Sequence, residues 1–321
     1  MSLQKTIEAI RENRSFLVTT HMNPEGDALG SALGLALALR AMGKEAVVYN
    51  VDSIPRVLHF LPHENIYQER KKIDRSFDAM VVLDCGDAAR TGLMEEGACL
   101  PSVVINVDHH VTNKHFGSVN WINSEATATG EMVYDLIQGL NQPITPKIAL
   151  SIYTALLTET GSFRYSNTTA KALRIAAEMV EKGVNPSWLS QQLYETRSFG
   201  GLRLLGEVLT QMERSTDGRI AWVVVTQELF AKTHSDFEDS EDFVNYPRSL
   251  QGVEVAVFFR EIDATTYKIS FRARDGVDVS GLAEEFGGGG HRYAAGCRVR
   301  GSLDQVKKSV LEAVVRQINK G

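Results

Sequence analysis

Four short apolar runs in the first third of the chain constrain its fold most strongly. Each is a nearly continuous series of β-branched and aliphatic residues, which is typical of strands buried on both faces of a parallel sheet. They cover SFLVTTH (15–21), EAVVYNVD (45–52), DAMVVLDCGD (78–87) and SVVINVDHH (102–110). The runs therefore predict a parallel sheet at the centre of the first domain.

Helical patterns accompany these strands. Residues 27–43 are apolar, rich in small side chains and closed by Gly43, a helix C-terminal signal. Further helical patterns cover 129–140, 146–159 and 168–183. Because strands and helices alternate, we predict an N-terminal α/β domain with a doubly wound parallel sheet.

The second half of the chain predicts a smaller α/β domain with a mixed sheet. Its predicted strands and final helix cover 220–226, 253–261, 267–274, 296–301 and 302–320. A helical stretch with an interruption around Gly200 and Gly201, a candidate hinge, precedes them. We therefore expect a first domain over 1–185, a helical linker over 186–212 and a second domain over 213–321, with the active site in the cleft between the domains.

Composition narrows the function. A net charge of −6 argues against binding of long duplex DNA through a broad basic surface. No run of 18 apolar residues is present, and the amphipathic N-terminal segment lacks the apolar core of a signal peptide, so we expect a cytoplasmic protein that does not bind membranes. Cys85, Cys99 and Cys297 lie far apart, which favours reduced thiols.

Titratable residues follow three of the predicted strands. His21 ends the first strand, Asp84 ends the third, and the triplet 108–110 (Asp-His-His) ends the fourth; Glu25 and Asp27 lie just beyond His21. Ligands of open parallel sheets bind beyond the carboxyl ends of the strands. Several carboxylates in one crevice repel each other unless cations neutralise them. Mixed nitrogen and oxygen ligands suit manganese, iron or zinc, so we predict a two-metal site.

The strand at 267–274 alternates in character. Tyr267, Ile269, Phe271 and Ala273 would share one face, and Lys268, Ser270, Arg272 and Arg274 the other. The preceding strand carries Arg260 near its end. This pattern predicts a half-buried sheet with a basic outer face, although a plain solvated face fits the alternation equally well.

A glycine run, FGGGGHRYAAG (286–296), favours phosphate binding by that face. Without side chains at Gly288, Gly289 and Gly290, backbone N–H groups can approach a phosphate closely. His291 follows the run directly. We therefore predict that these residues, with Arg260, Arg272 and Arg274, hold the phosphate of a substrate.

Five motifs give the chain a family resemblance. HMNPEGDALGS (21–31), LDCGD (83–87), VDHH (107–110), TETGSFRYSNTT (158–169) and GGGGHRYAAG (287–296) resemble the motifs of the DHH phosphoesterase superfamily and of its associated C-terminal domain. The chain is most similar to the bacterial nanoRNase and pAp phosphatase group. These enzymes degrade very short RNAs and dephosphorylate 3′-phosphoadenosine 5′-phosphate.

The resemblance implies roles for individual residues. It implies two divalent metal ions, most often manganese, one held by His21, Glu25 and Asp84, and the other by Asp27, Asp84, His109 and Glu159. It also implies that Asp84 bridges the metals, that Asp108 orients a neighbouring imidazole and that His110 faces the substrate phosphate. The family generally has aspartate where this chain has Glu25 and Glu159.

From these features we expect a manganese-dependent phosphohydrolase. Its substrates would be short single-stranded oligoribonucleotides, a nucleoside bisphosphate whose 3′-phosphate it removes, or both, and its catalytic residues would be Asp84, Asp108 and His110. One alternative is a phosphodiesterase of linear or cyclic dinucleotides. The other is a nucleotide-binding protein with impaired turnover caused by Glu25 and Glu159. The oligomeric state, including a homodimer, stays open.

Overall fold

The computed structural model describes residues 2–73, 75–94, 99–274 and 276–319, with the exception of the His291 side chain. The chain forms two compact units, one ending at Thr196 and the other beginning at Arg197. No helix within the described ranges is long and apolar enough to cross a bilayer.

The described part of the first unit contains a six-stranded parallel sheet. Its strands are β1 Ser15–Thr19, β2 Glu45–Asn50, β3 Tyr67–Glu69, β4 Ala79–Leu83, β5 Val103–Asp108 and β6 Val119–Ile122, in the order β3-β2-β1-β4-β5-β6. The helices are α1 Leu3–Glu12, α2 Gly26–Ala41, α3 Thr129–Gly139, α4 Pro146–Glu159, α5 Ala170–Glu181 and α6 Pro186–Tyr194. The predicted parallel sheet is confirmed. The sequence analysis missed β3 and β6, because these short edge strands lack a continuous apolar run.

The strand order reverses between β1 and β4. From β1 the sheet extends through β2 in one direction and through β4 in the other. The connections that leave the two central strands therefore diverge and open a crevice at their carboxyl ends, where α/β sheets bind ligands. His21 and Asp84 both lie in this position.

The two faces of this sheet are covered differently. One face packs against helices in a large core that includes Leu33, Val133 and Ile152. The opposite face, with Leu17, Met80 and Val82, is covered mainly by side chains from loops, among them Phe77 and Leu93. Because apolar groups cover both faces, the central strands carry the continuous apolar runs from which the sheet was predicted.

Helices α2 and α4 pack closely because small residues line their contact. A Cβ atom on Gly30 would clash with the backbone carbonyl oxygen of Ser151. A Cβ atom on Gly130, at the start of α3, would clash with the side chain of Ala155. The small-residue pattern of α2 therefore brings its first turn near the end of α4, where Glu159 is located.

The second unit contains a six-stranded mixed sheet within its described residues. Its elements are α7 Phe199–Thr210, β7 Glu213–Arg214, β8 Ile220–Val225, α8 Gln227–Thr233, α9 Asn245–Ser249, β9 Val255–Asp263, β10 Thr266–Ala273, α10 Ser280–Glu285, β11 Gly289–His291, β12 Ala294–Arg300 and α11 Leu303–Ile318. The strand order is β11-β12-β10-β9-β8-β7, with β8 and β9 parallel and the other neighbours antiparallel. The mixed sheet is confirmed.

The predicted interruption near Gly200 is displaced. Helix α6 ends at Tyr194 and α7 begins at Phe199, so the break covers 195–198 and both glycines are helical. The Ser198 side chain caps α7 by accepting a hydrogen bond from the Gly201 N–H. A Cβ atom on Gly200 would clash with the His234 carbonyl oxygen. These glycines therefore allow close packing and do not break the helix.

The predicted alternation of β10 is confirmed. Tyr267, Ile269, Phe271 and Ala273 are buried in a core that includes residues of α10 and α11, whereas Lys268, Ser270 and Arg272 are half-buried on the opposite face. A second core, which includes Val208 of α7 and Phe230 of α8, covers β8 and β9 on that opposite face.

Candidate metal centre

The candidate site lies at the carboxyl ends of β1, β4 and β5. His21 follows β1 by two residues, Asp84 follows β4 directly, and Asp108 is the last residue of β5, with His109 and His110 after it. All five side chains are buried. Asp84 has a backbone φ of 54°, in the left-handed region that non-glycine residues rarely adopt. The fold holds this conformation at the strand order reversal, where it turns the chain after β4.

Asp84 lies between two histidines. Its Oδ2 is 3.6 Å from His21 Nε2, and its Oδ1 is 3.5 Å from His109 Nε2. His21 Nε2 is also 3.0 Å from Glu25 Oε2, and His109 Nε2 is 3.7 Å from Asp27 Oδ2. One carboxylate thus presents a separate oxygen to each imidazole, the arrangement that a bridging ligand requires.

The second nitrogen of each of these histidines is held by the backbone. His21 Nδ1 is 2.8 Å from the Met22 carbonyl oxygen, and His109 Nδ1 is 3.3 Å from the Ala126 carbonyl oxygen. A carbonyl only accepts hydrogen bonds, so Nδ1 carries the proton in both rings. Neutral imidazoles in this tautomer present the Nε2 lone pair, which is the metal-binding form.

His110 is oriented differently. Its Nδ1 lies 2.6 Å from Asp108 Oδ1, so this nitrogen donates to a carboxylate. Asp108 also accepts from the His109 N–H at 2.9 Å and from Asn113 Nδ2 at 2.6 Å. The imidazole that Asp108 orients is therefore that of His110. Although His110 Nδ1 lies 3.7 Å from Asp84 Oδ1, its bond to Asp108 makes it a poor ligand.

Asp27 is fixed by the start of α3. Its Oδ2 accepts from the Thr129 N–H and its Oδ1 from the Gly130 N–H, each at 2.8 Å. The Ser31 hydroxyl donates to Asp27 Oδ1 at 3.1 Å, and the Thr129 hydroxyl donates to Asp84 Oδ1 at 3.0 Å. One helix N-terminus thus orients two carboxylates that face the histidines.

Glu25 combines two contacts. It is the N-cap of α2, and its Oε1 accepts from the Ala28 N–H at 3.2 Å. Its Oε2 is the oxygen that faces His21. The glutamate side chain is long enough to cap the helix with one oxygen and to reach the cluster with the other.

The pKa values show how crowded the cluster is. Burial and the negative charge of Asp84 raise the pKa of Asp27 well above its usual range, against the opposing effect of His109. Burial raises the pKa of Glu159, the last residue of α4, to about 7, although His109 lowers it. Burial alone would lower the pKa of His21, but Glu25 and Asp84 outweigh it and raise that pKa. Without metal the cluster therefore favours protons on groups that could serve as ligands.

The donor set fits divalent cations. Among the described residues, two groups of side chains place one potential ligand atom each within 4.8 Å of the others: His21, Glu25 and Asp84, and Asp84, His109 and His110. Asp84 belongs to both groups, and the ligand atoms are imidazole nitrogens and carboxylate oxygens, which suit divalent transition metals. We therefore assign this cluster as a site for divalent metal ions.

Asp87 lies outside the cluster. Its Oδ1 caps the short 3₁₀ helix at Ala88–Thr91 by accepting from the Ala89 N–H at 3.0 Å, and its Oδ2 pairs with Lys114 Nζ at 2.5 Å. It is the last residue of the LDCGD motif, three residues after Asp84. In the structure it stabilises the loop after β4.

The sequence analysis missed residues that support the cluster. Nothing in the sequence around Thr129 and Gly130 indicates their role, because it depends on Asp27. Asp27 lies 102 residues before Thr129 in the chain. Asn106 and Asn113 left a weak signal, because Asn106 is a polar residue inside an apolar strand. The Asn113 side chain donates to Asn106 Oδ1 at 2.9 Å as well as to Asp108.

The predicted phosphate-binding residues of the second unit differ in their surroundings. Arg272 pairs with Ala294 across β10 and β12, and Ala294 pairs with His291 across β12 and β11. We call these three positions the clamp row. Arg274 follows β10, is exposed, and donates to the carbonyl oxygens of Arg248 and Leu250 at 3.2 and 3.4 Å. The prediction for the His291 side chain lies outside the described part of the structure.

Arg260 does not lie on an exposed basic face. It is 5% exposed, and its Nη1 donates to Glu241 Oε1 at 2.7 Å and to the Phe237 carbonyl oxygen at 3.0 Å. The acidic stretch 234–243, which the sequence analysis did not connect with this sheet, supplies both acceptors. A direct substrate contact by Arg260 would require this pairing to open.

The glycine run is used largely by the fold itself. The N–H groups of Gly287 and Gly288 donate to the carbonyl oxygens of Glu284 and Ala283, as in a helix C-terminal motif after α10. A Cβ atom on Gly288 would clash with the Gly296 carbonyl oxygen, while one on Gly289 would meet nothing within 4 Å. The Gly288 N–H, which we predicted to approach a phosphate, is thus already hydrogen-bonded within the fold. At Gly289 the space beside the backbone is open.

A cluster of potential metal ligands at the switch point of a parallel sheet places the chain in the class of α/β proteins that bind ligands beyond the carboxyl ends of their strands. Residues 15–157 match the DHH family, N-terminal domain, and residues 219–320 match the DHHA1 domain. Together with the relatives described next, these matches show that the chain belongs to the DHH family of phosphoesterases.

The relatives cover nearly the whole chain. The bifunctional oligoribonuclease and PAP phosphatase NrnA of Thermus thermophilus is 39% identical over 94% of this chain and 90% of its own length. The protein of the same name from Bacillus subtilis is 27% identical over 89% of each. The crystal structure of an exopolyphosphatase-related protein from Bacteroides fragilis is 27% identical, superposes with a TM-score of 0.87, and covers 99% of this chain and 95% of its own.

Proposed function

We propose that this chain is a manganese-dependent phosphohydrolase of short oligoribonucleotides that also removes the 3′-phosphate of 3′-phosphoadenosine 5′-phosphate. One observation carries the proposal: Asp84 presents one oxygen to each of two histidine–carboxylate groups. The ions of two-metal phosphoesterases lie about 4 Å apart, which is close enough for one carboxylate to offer an oxygen to each. The 39% identity to a bifunctional oligoribonuclease and PAP phosphatase supports the choice of substrates.

In this proposal the cluster residues have separate tasks. His21, Glu25 and Asp84 hold one metal ion, and Asp27, Asp84, His109 and Glu159 hold the other. When bound, the ions activate water and neutralise the charge that develops on the phosphoryl group. Asp108 accepts a hydrogen bond from His110 Nδ1 and so fixes the orientation of this ring, whose Nε2 would face the substrate phosphate.

Arg272, Arg274, Gly289 and His291 would hold a second part of the substrate. Arg272 and His291 occupy the clamp row, and the small side chain of Ala294 between them leaves room for a phosphate. Because the substrates we propose arise in the cytoplasm, we also propose a cytoplasmic location, which cell fractionation tests.

A substrate panel tests the function. RNAs of two to five nucleotides, 3′-phosphoadenosine 5′-phosphate and cyclic dinucleotides are incubated side by side with manganese, magnesium or a chelator. We expect hydrolysis of the first two classes, fastest with manganese and absent with the chelator. Preferential cleavage of cyclic dinucleotides would favour the phosphodiesterase alternative. Binding without turnover under every metal condition would favour the nucleotide-binding alternative.

A further inference from the structure

A second set of cations lies on the same sheet face as the clamp row. Lys268 of β10 pairs with Arg260 of β9 on one side and with Arg298 of β12 on the other. These three positions, which we call the cationic row, therefore cross three adjacent strands. Side chains at directly paired positions on one face are neighbours, with Cβ atoms about 5 Å apart.

The ion pairs that the described residues form with the cationic row do not balance its charge. Among the described residues, Glu241 is the carboxylate that forms ion pairs with this row. Its Oε1 is 2.7 Å from Arg260 Nη1, and its Oε2 is 3.7 Å from Lys268 Nζ. Three cations and one carboxylate leave an excess of two positive charges. Like charges at directly paired positions destabilise a sheet. An anion bound at this row would remove that cost.

Electrostatics within the row agree with this geometry. Burial lowers the pKa of Lys268, Arg260 and Arg298 lower it further, and Glu241 partly offsets them. Arg298 is exposed, and the Lys268 side chain is 31% exposed, so both remain accessible to a ligand.

An aromatic ring lies beside the row. Phe237 is 57% exposed, and the Arg260 guanidinium is 5.5 Å from its ring centroid. Proteins that bind single-stranded nucleic acids combine backbone-binding cations with exposed aromatic rings on which bases stack. This neighbour therefore favours a nucleic acid strand over an inorganic anion.

The distance between the rows defines what could occupy both. Lys268 precedes Arg272 by four residues in β10, which corresponds to about 13 Å along the strand. The intervening paired position of β10 and β12 holds Ser270 and Gly296, so no large side chain separates the two rows on these strands. The two phosphates of one nucleoside bisphosphate are too close together to reach both rows, whereas a chain of several nucleotides can.

We propose that the cationic row binds a phosphodiester group of an oligonucleotide whose terminal nucleotide is held at the clamp row. This inference rests on the proposed function and extends it, because it assigns the selection of oligonucleotides over nucleoside bisphosphates to Lys268 and Arg298. Glu241 competes with the strand for Lys268 and Arg260, and Phe237 supports a base.

The test compares Lys268→Ala and Arg298→Ala with Lys308→Ala in the full-length protein. Lys308 is an exposed cation of α11, which packs on the other face of the sheet, so its variant controls for net charge. Binding of a fluorescent RNA 5-mer is measured in chelator at several salt concentrations, and kcat/KM is measured with manganese for the 5-mer and for 3′-phosphoadenosine 5′-phosphate.

We expect Lys268→Ala and Arg298→Ala each to weaken 5-mer binding several-fold and to reduce the slope of log affinity against log salt by about 0.7. Their kcat/KM should fall for the 5-mer and stay unchanged for the bisphosphate, and Lys308→Ala should change neither. Glu241→Gln should tighten 5-mer binding, because it removes the competing charge.

Unchanged 5-mer binding in both row variants would overturn the inference, as would an equal loss for the 5-mer and the bisphosphate. If the unaltered protein hydrolyses neither substrate, the proposed function fails, but the salt slopes measured in chelator still test the row. The two failures are therefore distinguishable.

Discussion

Thr129 shows how much of the site depends on single residues outside the motifs. Its backbone N–H holds Asp27 and its hydroxyl holds Asp84, so one residue orients a carboxylate from each side of the cluster. Glu25 similarly joins helix capping to the cluster. At the scale of the residue, the site is built from side chains whose free rotation has been removed by a second hydrogen bond.

Replacing Thr129 by valine should weaken the site without changing its shape. Valine keeps the backbone N–H to Asp27 but removes the hydroxyl that donates to Asp84. Loss of such a supporting partner typically lowers metal affinity or activity about 10- to 100-fold. Manganese affinity, measured by calorimetry, should fall in Thr129→Val and recover in Thr129→Ser. Equal affinity in all three proteins would contradict the role of the hydroxyl.

Replacing Glu25 by aspartate tests whether the site requires the longer side chain of glutamate at this position. In Glu25→Asp the side chain can still cap α2, because aspartate is a preferred N-cap residue, but it then no longer reaches His21. Metal ligation tolerates deviations of only about 0.2 Å. We therefore expect unchanged stability in chelator with lower manganese affinity and activity. A faster enzyme would show that glutamate is a defect at this position.

At the scale of the element, the packing of α2 against α4 determines the geometry of the site. Asp27 lies in the first turn of α2 and Glu159 ends α4, so their distance depends on how closely the helices approach. That approach depends on Gly30, whose missing Cβ makes room for the backbone of α4. The glycines of α2 thus have a geometric function that outweighs their cost in helix propensity.

Gly30→Ala and Gly34→Ala should have opposite effects. Alanine at 30 collides with the backbone of α4 and should destabilise the protein by about 1–3 kcal/mol. Alanine at 34 meets the Ser151 Cβ at an ordinary 3.5 Å and should stabilise the helix by up to about 1 kcal/mol. Denaturant unfolding in chelator measures both. Manganese affinity should fall for the first variant only; equal stability changes would contradict the packing argument.

At the scale of the whole molecule, each unit has hydrophobic cores of its own. The residues of the metal-ligand cluster all belong to the unit that ends at Thr196, and the two rows that we propose to bind phosphate belong to the unit that begins at Arg197. Metal binding and strand binding can therefore be perturbed separately by substitution.

Manganese should stabilise the protein against heat. A ligand present at 100 times its dissociation constant stabilises the folded state by about 2.7 kcal/mol. The melting temperature should rise with manganese and return to its starting value with chelator. Asp84→Ala should abolish this rise, because the residue belongs to both groups of ligands, whereas Lys308→Ala should keep it. A full rise in Asp84→Ala would show that the stabilising metal binds elsewhere.

The amino-acid sequence by itself determined the parallel sheet and the location of the cluster. Both follow from local patterns, since continuous apolar runs indicate central strands and residues after parallel strands must meet at one edge. Only the tertiary structure decided that Asp27 docks on α3, that Asp108 orients His110, and that segment 234–243 pairs with Arg260. Two of these contacts join residues that are distant in sequence, and the third joins neighbours on a short loop, where the side-chain rotamer selects the partner. The periodicity of the sequence does not encode either kind of contact.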